Sequence, residues 1–198
     1  MNSGIFAGIG LAAACGWNTF TPLLVLALAD RIVGGDLLNR PYEFISSVGG
    51  ILILLALMTV ELVGDKVPRL DHALDVLGAV LRPTTGALCF MAITNHDSSM
   101  HPILAMVFGL VVGGVVHWDK VQRRIHLAHQ GLGLGTPFVS VVEDFASMIT
   151  AICAVLYGIL GPIAAVLSWL MVRATYKWGE NFGKGTIARA RERQTLRR

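Results

Sequence analysis

The chain has 198 residues, of which 54% are hydrophobic and only 15% are charged, and its formal net charge is +3. Soluble domains of this size carry roughly 25% charged residues. The mean hydropathy is +0.64, and the apolar residues form long runs separated by short polar ones. In water this apolar surface would stay unburied, so the composition excludes a soluble fold and predicts a protein embedded in a bilayer.

Six apolar segments predict an all-α, polytopic bundle of about six transmembrane helices, since each span needs about 20 apolar residues. The first segment contains Asn18 and then Pro22, which predicts a broken helix or a short helix followed by a span. The third segment is too short to cross the bilayer unless residues 70–82 enter it as well, and otherwise we expect it to be re-entrant. For residues 70–82 themselves, the spacing of the leucines predicts a helix lying on the membrane surface. The segments are 4–30, 46–63, 83–95, 102–118, 137–159 and 161–176.

Basic residues are concentrated on one predicted side of the membrane, whereas the loops of the other side carry only Arg31 and Arg40. Six spans place both termini on one side, and the positive-inside rule assigns that side to the cytoplasm. The predicted transmembrane domain is 1–176, followed by a basic cytoplasmic tail, 177–198. For this tail we expect anionic lipid headgroups as partners rather than nucleic acid. The basic loop residues are Lys66, Arg69, Arg82, Lys120, Arg123 and Arg124.

An internal repeat relates residues 65–83 to residues 119–137 at an offset of 54, with six identities in 19 positions and no gap. Because an apolar span precedes and follows each copy, we predict two parallel two-span copies, about residues 50–96 and 104–150. Parallel repeats occur in transporters whose substrate path lies at the repeat interface; duplication for packing alone is the alternative. The repeated residues include Asp65, Lys66, Arg69 and His72, matched by Asp119, Lys120, Arg123 and His126.

Ionisable residues at membrane depth are costly, so they mark functional sites by default. Ser140, Glu143 and Ser147 share one face of the fifth span, and Glu61 lies one helical turn before Asp65. We predict a cation or proton site here, because carboxylates bind hard cations and take up protons when buried. Internal ion pairing with Lys66 or Arg82 is the alternative. The predicted path comprises Glu61, Asp65, Thr84, Thr85, Ser140, Glu143 and Asp144.

Three prolines mark predicted helix starts: Pro22, which follows the break at Asn18, then Pro83 and Pro137. Proline suits the first helical turn because its nitrogen needs no intrahelical partner there. A helix N-terminus carries a partial positive charge. If these helix ends converge with the carboxylates, we expect them to form one polar site.

The sequence contains neither a nucleophile–base constellation nor a Gly-rich phosphate loop, which predicts that the protein is not an enzyme. We expect no cofactor and no metal, because the histidines lie in segments at headgroup level, where solvated histidines are ordinary. The three cysteines lie in apolar stretches and share no CxxC spacing, so neither a disulfide framework nor a zinc site is indicated.

A resemblance to a known family rests on residues 16–28, 61–68, 82–88 and 137–144. These segments resemble an uncharacterised bacterial membrane family, domain of unknown function 4126, over about residues 5–175. The resemblance implies a bacterial inner-membrane location and supplies no activity. The run Glu61 to Lys66 is also similar to the E-x-G-D-K/R-T/S motif of small manganese/calcium–proton exchangers. It departs from that motif by one extra residue after Glu61 and by Val67 where the family has Thr or Ser.

Three functional hypotheses remain open. The first is a small transporter or channel for a cation or a proton-coupled solute. The second is a non-catalytic subunit or assembly factor of a larger membrane complex, and the third is a lipid-handling membrane protein. A homodimer is compatible with the first, and fixed-stoichiometry co-purification with a larger partner would favour the second.

Overall fold

The computed structural model describes residues 3–38, 40–65, 67–94, 100–129 and 136–195. This part of the chain is all helical, as the composition predicts, and it contains seven α-helices and one short 3₁₀ helix, Tyr42–Ser46. The α-helices are α1 (Ser3–Trp17), α2 (Thr21–Val33), α3 (Val48–Gly64), α4 (Pro68–Thr94), α5 (Pro102–His129), α6 (Thr136–Leu156) and α7 (Leu160–Thr195).

Three stretches of helix are long and apolar enough to cross a membrane: Ala73–Thr94, Pro102–Leu127 and Phe138–Leu156. Gly4–Trp17 and Val48–Gly64 are shorter apolar helices. Large apolar side chains on the outer surface, such as Val60, Val115 and Ile163, are more than half exposed. Such a surface suits hydrocarbon and not water. The fold is therefore a helical bundle of the membrane-embedded kind, as predicted.

The helices run up and down, so one end of the bundle collects the ends of odd-numbered helices and the starts of even-numbered ones. Lys120, near the end of α5, donates a hydrogen bond to the Trp17 carbonyl at the end of α1. The same ammonium group contacts Asp65, which follows α3, and Glu143, near the start of α6. We call this end of the bundle the network end and the opposite end the far end.

The chain turns back between α1 and α2 at the network end. Asn18 accepts a hydrogen bond from the Thr21 N–H at 3.0 Å, and Pro22 lies in the first turn of α2. The predicted break at Asn18 and helix start at Pro22 are thus confirmed. At the far end, Gly4 packs against the backbone of Ile93 in the last turn of α4.

This turn changes the helix order expected from the hydropathy. Residues 4–30 were predicted to count as one span, but α1 and α2 run in opposite directions, which adds one helix to the bundle. As a result, α1 begins at the far end, whereas α7 passes Tyr176 at the network end, where its hydroxyl bonds to Glu143. The helix order does not support the prediction that both termini lie on one side.

Pro83 does not begin a helix; it lies inside α4, which runs unbroken from Pro68 to Thr94. The predictions of a helix start at Pro83 and of a separate surface helix over 70–82 are therefore wrong. Proline removes one backbone donor, and the Thr84 hydroxyl supplies a donor nearby, to the carbonyls of Val80 and Leu81. Threonine hydroxyls commonly satisfy backbone groups around a proline in membrane helices. Pro137, in contrast, is the second residue of α6, in agreement with its predicted position.

The two predicted repeat copies correspond to two hairpins, α3–α4 and α5–α6, which both turn at the network end. Their helix boundaries differ, however. Asp65 and Val67 flank the break between α3 and α4, whereas Asp119 and Val121 lie inside α5. The parallel arrangement of the hairpins is compatible with duplication, and the repeat itself stays a prediction.

Small residues allow the central helices to approach closely. The first helix, α1, packs against α4, α5, α6 and α7 and is almost wholly buried. Between α4 and α5, a Cβ on Gly109 would lie only 2.5 Å from the carbonyl oxygen of Gly86. Such small-residue contacts are typical of helix packing in membranes.

The last helix, α7, continues unbroken from Leu160 to Thr195. The predicted boundary between a membrane domain ending at 176 and a tail beginning at 177 is therefore not a helix end. The division into domain and tail remains a prediction about the membrane, not a feature of the helix.

Candidate functional site

Seven ionisable side chains meet at the network end, and we call them the ion network. Six of them are buried, and the seventh, Asp75, has a side chain that is 12% exposed. They lie at the end of α3, on the first half of α4, on the second half of α5 and near the start of α6. The ion network comprises Glu61, Asp65, Asp75, Arg82, Lys120, Arg124 and Glu143.

Glu61 binds the start of α2. Its carboxylate accepts hydrogen bonds from the backbone N–H groups of Thr19 at 2.9 Å and Phe20 at 3.2 Å, and from the Thr19 hydroxyl at 2.8 Å. Free N–H groups and partial positive charge make a helix start a favourable place for a carboxylate. Arg82 completes the site by donating to Glu61 at 3.3 Å. One predicted convergence of a helix N-terminus with a carboxylate is therefore found at α2.

Lys120 is shared by two carboxylates and a carbonyl. Its Nζ lies 2.8 Å from the Trp17 carbonyl oxygen, 3.2 Å from Glu143 Oε2 and 3.4 Å from Asp65 Oδ2. The side chain is fully buried, so these three oxygens replace the water that its ammonium group has lost. Lys120 therefore ties together the ends of α1 and α3 and the start of α6.

Arg124 and Tyr176 hold Glu143 from the other side. Arg124 Nη2 donates to Glu143 Oε2 at 2.6 Å, and the Tyr176 hydroxyl donates to Glu143 Oε1 at 2.7 Å. Arg124 also lies 3.5 Å from Asp75 through Nη1. Glu143 thus has both oxygens hydrogen-bonded, as Glu61 does.

Arg82 is shared between three carboxylates. Its guanidinium donates to Glu61 and lies 3.8 Å from Asp65 and 3.7 Å from Asp75. Its Nη1 also lies 3.0 Å from Nδ1 of the buried His117. Because Arg82 keeps its positive charge at any working pH, a neutral His117 that accepts this hydrogen bond fits the geometry.

Asp65 is the least satisfied carboxylate of the buried group. Its Oδ2 lies 3.4–3.8 Å from three cations, and its Oδ1 has no hydrogen-bond partner among the described residues. Asp65 is therefore less fully hydrogen-bonded than Glu61 or Glu143, although three cations lie near it.

Among the described residues, four acidic groups of the network face three basic ones. Buried charges persist only when they are paired and hydrogen-bonded. Within the described residues, no three His, Cys, Asp or Glu side chains are arranged to hold a metal ion.

Three residues of the predicted path, Glu61, Asp65 and Glu143, belong to the network. Ser140 lies one turn from Glu143 on the same buried face, and its hydroxyl oxygen has no hydrogen-bond partner among the described residues. Ser147, on that face as predicted, donates to the Ala14 carbonyl of α1 at 2.9 Å. The predicted polar face of α6 therefore points into the bundle.

The other predicted path residues do not reach the network. Thr84 is exposed on the outer face of α4, and Thr85 is buried but donates to the backbone carbonyls of its own helix. Asp144 accepts a hydrogen bond from Asn18 Nδ2 at 3.1 Å and so links α6 to the α1–α2 turn. Adjacent positions on a helix differ by about 100°, so Asp144 cannot share the environment of Glu143.

The residues of the predicted repeat motif have unlike surroundings. Asp119 pairs with Arg123 and accepts a hydrogen bond from the Trp169 indole at 2.8 Å, whereas its counterpart Asp65 is buried in the network. His126 is largely exposed and lies 4.0 Å from Glu180. Lys66 and the side chains of Arg69 and His72 lie outside the described residues.

Sequence reasoning placed Arg82, Lys120 and Arg124 in cytoplasmic loops, but all three are buried in the network. The signal that would have found two of them is helical spacing: His117, Lys120 and Arg124 fall at i, i+3 and i+7 and so share one face of α5. Asp75 carries the same signal, since it lies seven residues before Arg82 on one face of α4 and pairs with it. Tyr176 carries no such signal, because it contacts Glu143 from a helix that is distant in sequence.

The family model described as "Domain of unknown function (DUF4126)" matches residues 5–177, a range that includes every member of the ion network. The chain belongs to this family. No curated protein matches the chain. No solved structure matches it either. Membership in the DUF4126 family thus confirms the resemblance read from the sequence and supplies no activity.

Proposed function

We propose that this DUF4126 protein is a small membrane transporter in which proton exchange at the ion network drives movement of a cation or another small solute. The observation that supports this proposal most directly is the charge balance of the network. Four carboxylates share three permanent cations inside an apolar bundle. Intramembrane ionisable residues of this kind mark proton relays and substrate pathways.

The coupling step would be an exchange of ion pairs. Asp75 is the member with an exposed edge, and it contacts both Arg82 and Arg124. A proton that neutralises Asp75 frees these two cations to bind Glu61 and Glu143 more closely. Asp65 lies 3.4–3.8 Å from three cations, and its Oδ1 has no hydrogen-bond partner among the described residues. It would then gain or lose contacts with these cations as the network rearranges.

The helix best placed to move is α3. Most of its large apolar side chains are exposed, and only Leu54, Glu61 and Gly64 are buried. Its C-terminal end is attached to the bundle through Glu61 and Asp65, both members of the network. Protonation of these carboxylates would weaken that attachment, so a proton taken up at the network can move α3 relative to α2 and α4.

We further propose a multi-pass arrangement in a bacterial inner membrane with the network end facing the cytoplasm. Arg173 and Lys177 are exposed at that end, where Arg123 is partly exposed, and α7 continues from there into the basic segment, whereas the far end carries Arg31 and Arg40. This asymmetry is the one described by the positive-inside rule. Since α1 begins at the far end, this orientation puts its first residues on the periplasmic side.

The test is proton flux into proteoliposomes that contain a trapped pH-sensitive dye. An inward gradient of Na⁺, K⁺, Mg²⁺, Ca²⁺ or Mn²⁺ is imposed in separate reactions, with empty vesicles as the blank. We expect at least one cation to drive proton movement well above the blank. Asp65→Asn should reduce that rate by at least 10-fold, which corresponds to about 1.4 kcal/mol, because a neutral side chain at position 65 can no longer exchange cations as the network rearranges.

A matched variant controls for surface charge. Glu43→Gln removes a carboxylate from the exposed loop at the far end, and its flux should equal that of the unmodified protein. Asp65→Glu restores the charge and should recover part of the rate. The transport proposal is overturned if folded Asp65→Asn protein exchanges protons as fast as the unmodified protein, or if no gradient drives flux above the blank.

Lipid handling is the second candidate, and an apolar groove favours it. A cavity of about 420 Å³ lies between α2, α3 and α6 and runs from Thr21 to Ile32 along α2, lined almost entirely by carbon. At about 1.5 Å per residue its length is about 16 Å, which suits one acyl chain. The same vesicles distinguish the two functions, since fluorescent-lipid exchange between leaflets without cation-driven proton flux would assign this function instead.

A further inference from the structure

A second charged cavity lies outside the ion network, between α5 and α7. It has a volume of about 660 Å³ and opens on the surface of the bundle. Cationic side chains line it from both helices: Arg123 on α5, and Arg173 and Lys177 on α7. Gln122 and His126 of α5 add further polar groups to its wall. Asp119 and Glu180 also line the cavity, so three cations and two carboxylates lie in its wall.

The cations of this cavity are held in place. The Trp169 ring lies under both guanidinium groups, 5.5 Å from that of Arg123 and 4.7 Å from that of Arg173. Asp119 fixes this arrangement because it pairs with Arg123 and accepts the indole N–H. One aromatic ring thus restricts both guanidinium groups. An anion that binds them meets side chains that are already ordered, so binding costs little side-chain entropy.

Among the described residues, two of the three cations have no carboxylate partner. Arg123 is paired with Asp119, but Arg173 and Lys177 make no ion pair with any described residue. These two residues lie one turn apart on the same face of α7, and both are exposed at the cavity. Their charges are consequently available to a ligand from outside the chain.

The position of the cavity along α7 matches the headgroup region of a bilayer. Val166 and Leu170, about two turns and about one turn before Arg173, are exposed apolar residues. Trp178, just beyond Lys177, is exposed and packs against Phe138 in a tilted arrangement, with ring centroids 5.9 Å apart. Tryptophan is enriched where hydrocarbon meets headgroups. The charged group of a molecule bound in the cavity would therefore lie at the level of the lipid headgroups, and the rest of the molecule would lie beside the apolar part of α7.

We propose that this cavity binds the phosphodiester of an anionic membrane phospholipid, with the acyl chains lying against the exposed apolar side of α7. Basic pockets between membrane helices are a recurrent site for such headgroups. The carboxylates of Asp119 and Glu180, also in the wall, disfavour multiply charged anions and accept hydrogen bonds from headgroup hydroxyls. A singly charged, hydroxylated headgroup such as that of phosphatidylglycerol fits this wall. The site stands independently of transport by the ion network.

The test is lipid binding to the full chain in neutral detergent, measured by native mass spectrometry with phosphatidylglycerol or phosphatidylcholine. We expect the anionic lipid to be retained and the zwitterionic lipid to be lost. In Arg173→Gln/Lys177→Gln, phosphatidylglycerol affinity should fall about 5-fold for each charge removed. The charge-matched control Arg197→Gln/Arg198→Gln removes the same charge from the tail and should bind as the unmodified protein does.

Two further arms complete the test. The charge-preserving variant Arg173→Lys/Lys177→Arg should keep most of the affinity, because the cavity still presents two cations. Inorganic phosphate at millimolar concentration should not displace the lipid. The lipid assignment is overturned if phosphate competes and the two lipids bind equally, which would assign the cavity to a soluble phosphate. It is equally overturned if the tail variant loses as much affinity as the cavity variant.

Discussion

At the scale of single residues, the stability of this protein depends on shared charges. Lys120 is the clearest case, since its ammonium group serves Glu143, Asp65 and the Trp17 carbonyl at once. Removing one member of a buried ion pair costs more than the pair contributes, because the other charge is left desolvated and unmatched. The loss in the free energy of unfolding caused by a substitution in the network should therefore depend on which charges remain.

We predict that Lys120→Met destabilises the protein by about 3–5 kcal/mol, because it leaves six charges in the network, four carboxylates with only two cations between them. The measurement is the thermal midpoint in detergent. Arg40→Met is the control: Arg40 is 90% exposed in a surface pair with Glu43, and surface pairs contribute about 1 kcal/mol or less.

A double substitution distinguishes charge matching from loss of packing. Adding Asp65→Asn to Lys120→Met removes one of the carboxylates that lost its cation, so the double variant should be more stable than the sum of the single effects. Residues in one network couple by about 0.5–3 kcal/mol. Strictly additive effects would mean that Lys120 contributes through the packing of its alkyl chain and not through its charge.

At the scale of helices, the close approach of α4 to α5 positions half of the network. Asp75 on α4 pairs with Arg124 on α5, and Arg82 on α4 contacts His117 on α5. These contacts are possible because Gly86 and Gly109 allow the two backbones to touch farther along. A larger residue there would push the helices apart. The charged side chains would then lose contact with one another.

We therefore predict that Gly109→Ala destabilises the bundle by about 1–3 kcal/mol, as overpacking does. Its Cβ would lie 2.5 Å from the Gly86 carbonyl oxygen and 2.6 Å from Ala87 Cα, which are backbone atoms that cannot move aside. Gly179→Ala is the matched control, since a Cβ there meets no atom within 4 Å, and alanine favours the helix by about 1 kcal/mol. Equal thermal midpoints for the two variants would contradict the importance of the α4–α5 contact.

The helix boundaries show where hydropathy is a reliable guide. The apolar runs 46–63 and 102–118 correctly locate α3 and most of α5, because hydrocarbon length sets the minimum apolar run. The basic residues beyond these runs were assigned to loops, since an ionised side chain is costly in hydrocarbon. Arg82 and Lys120 can nevertheless lie inside the bundle, because carboxylates there pair with them. As a result, α4 and α5 extend well beyond the apolar runs predicted from the sequence.

At the scale of the whole molecule, the sequence was sufficient for the fold class and the family but not for the membership of the ion network. Glu61 and Glu143 are recognisable because acidic residues are rare in apolar runs. The cations that bind them cannot be recognised in the same way, because the contacts of the network join positions far apart in the sequence. Lys120 and Trp17 lie 103 positions apart, and Arg82 and Glu61 lie 21 positions apart. Contacts of this kind depend on how helices pack, which periodicity along one helix does not specify.

The up-and-down order of the helices leads to a prediction about sidedness. Because α1 and α2 form a hairpin and not one span, Ser3 and Arg40 should lie on the same side of the membrane and the tail on the other. Single cysteines are introduced as Ser3→Cys, Arg40→Cys and Arg197→Cys in a chain whose native cysteines are replaced by alanine. Each is labelled with a membrane-impermeant maleimide in intact cells and in inverted vesicles.

We expect Ser3→Cys and Arg40→Cys to react in intact cells, after the outer membrane is made permeable, and Arg197→Cys to react only in inverted vesicles. The physical reason is that the break at Asn18 reverses the chain once more than a single span over 4–30 would. Labelling of Ser3→Cys and Arg197→Cys from the same side would show that α1 and α2 cross as one unit. In that case the α1–α2 hairpin, whose turn places Thr19 next to Glu61, could not exist in the membrane. Glu61 would then lose the hydrogen bonds from that turn.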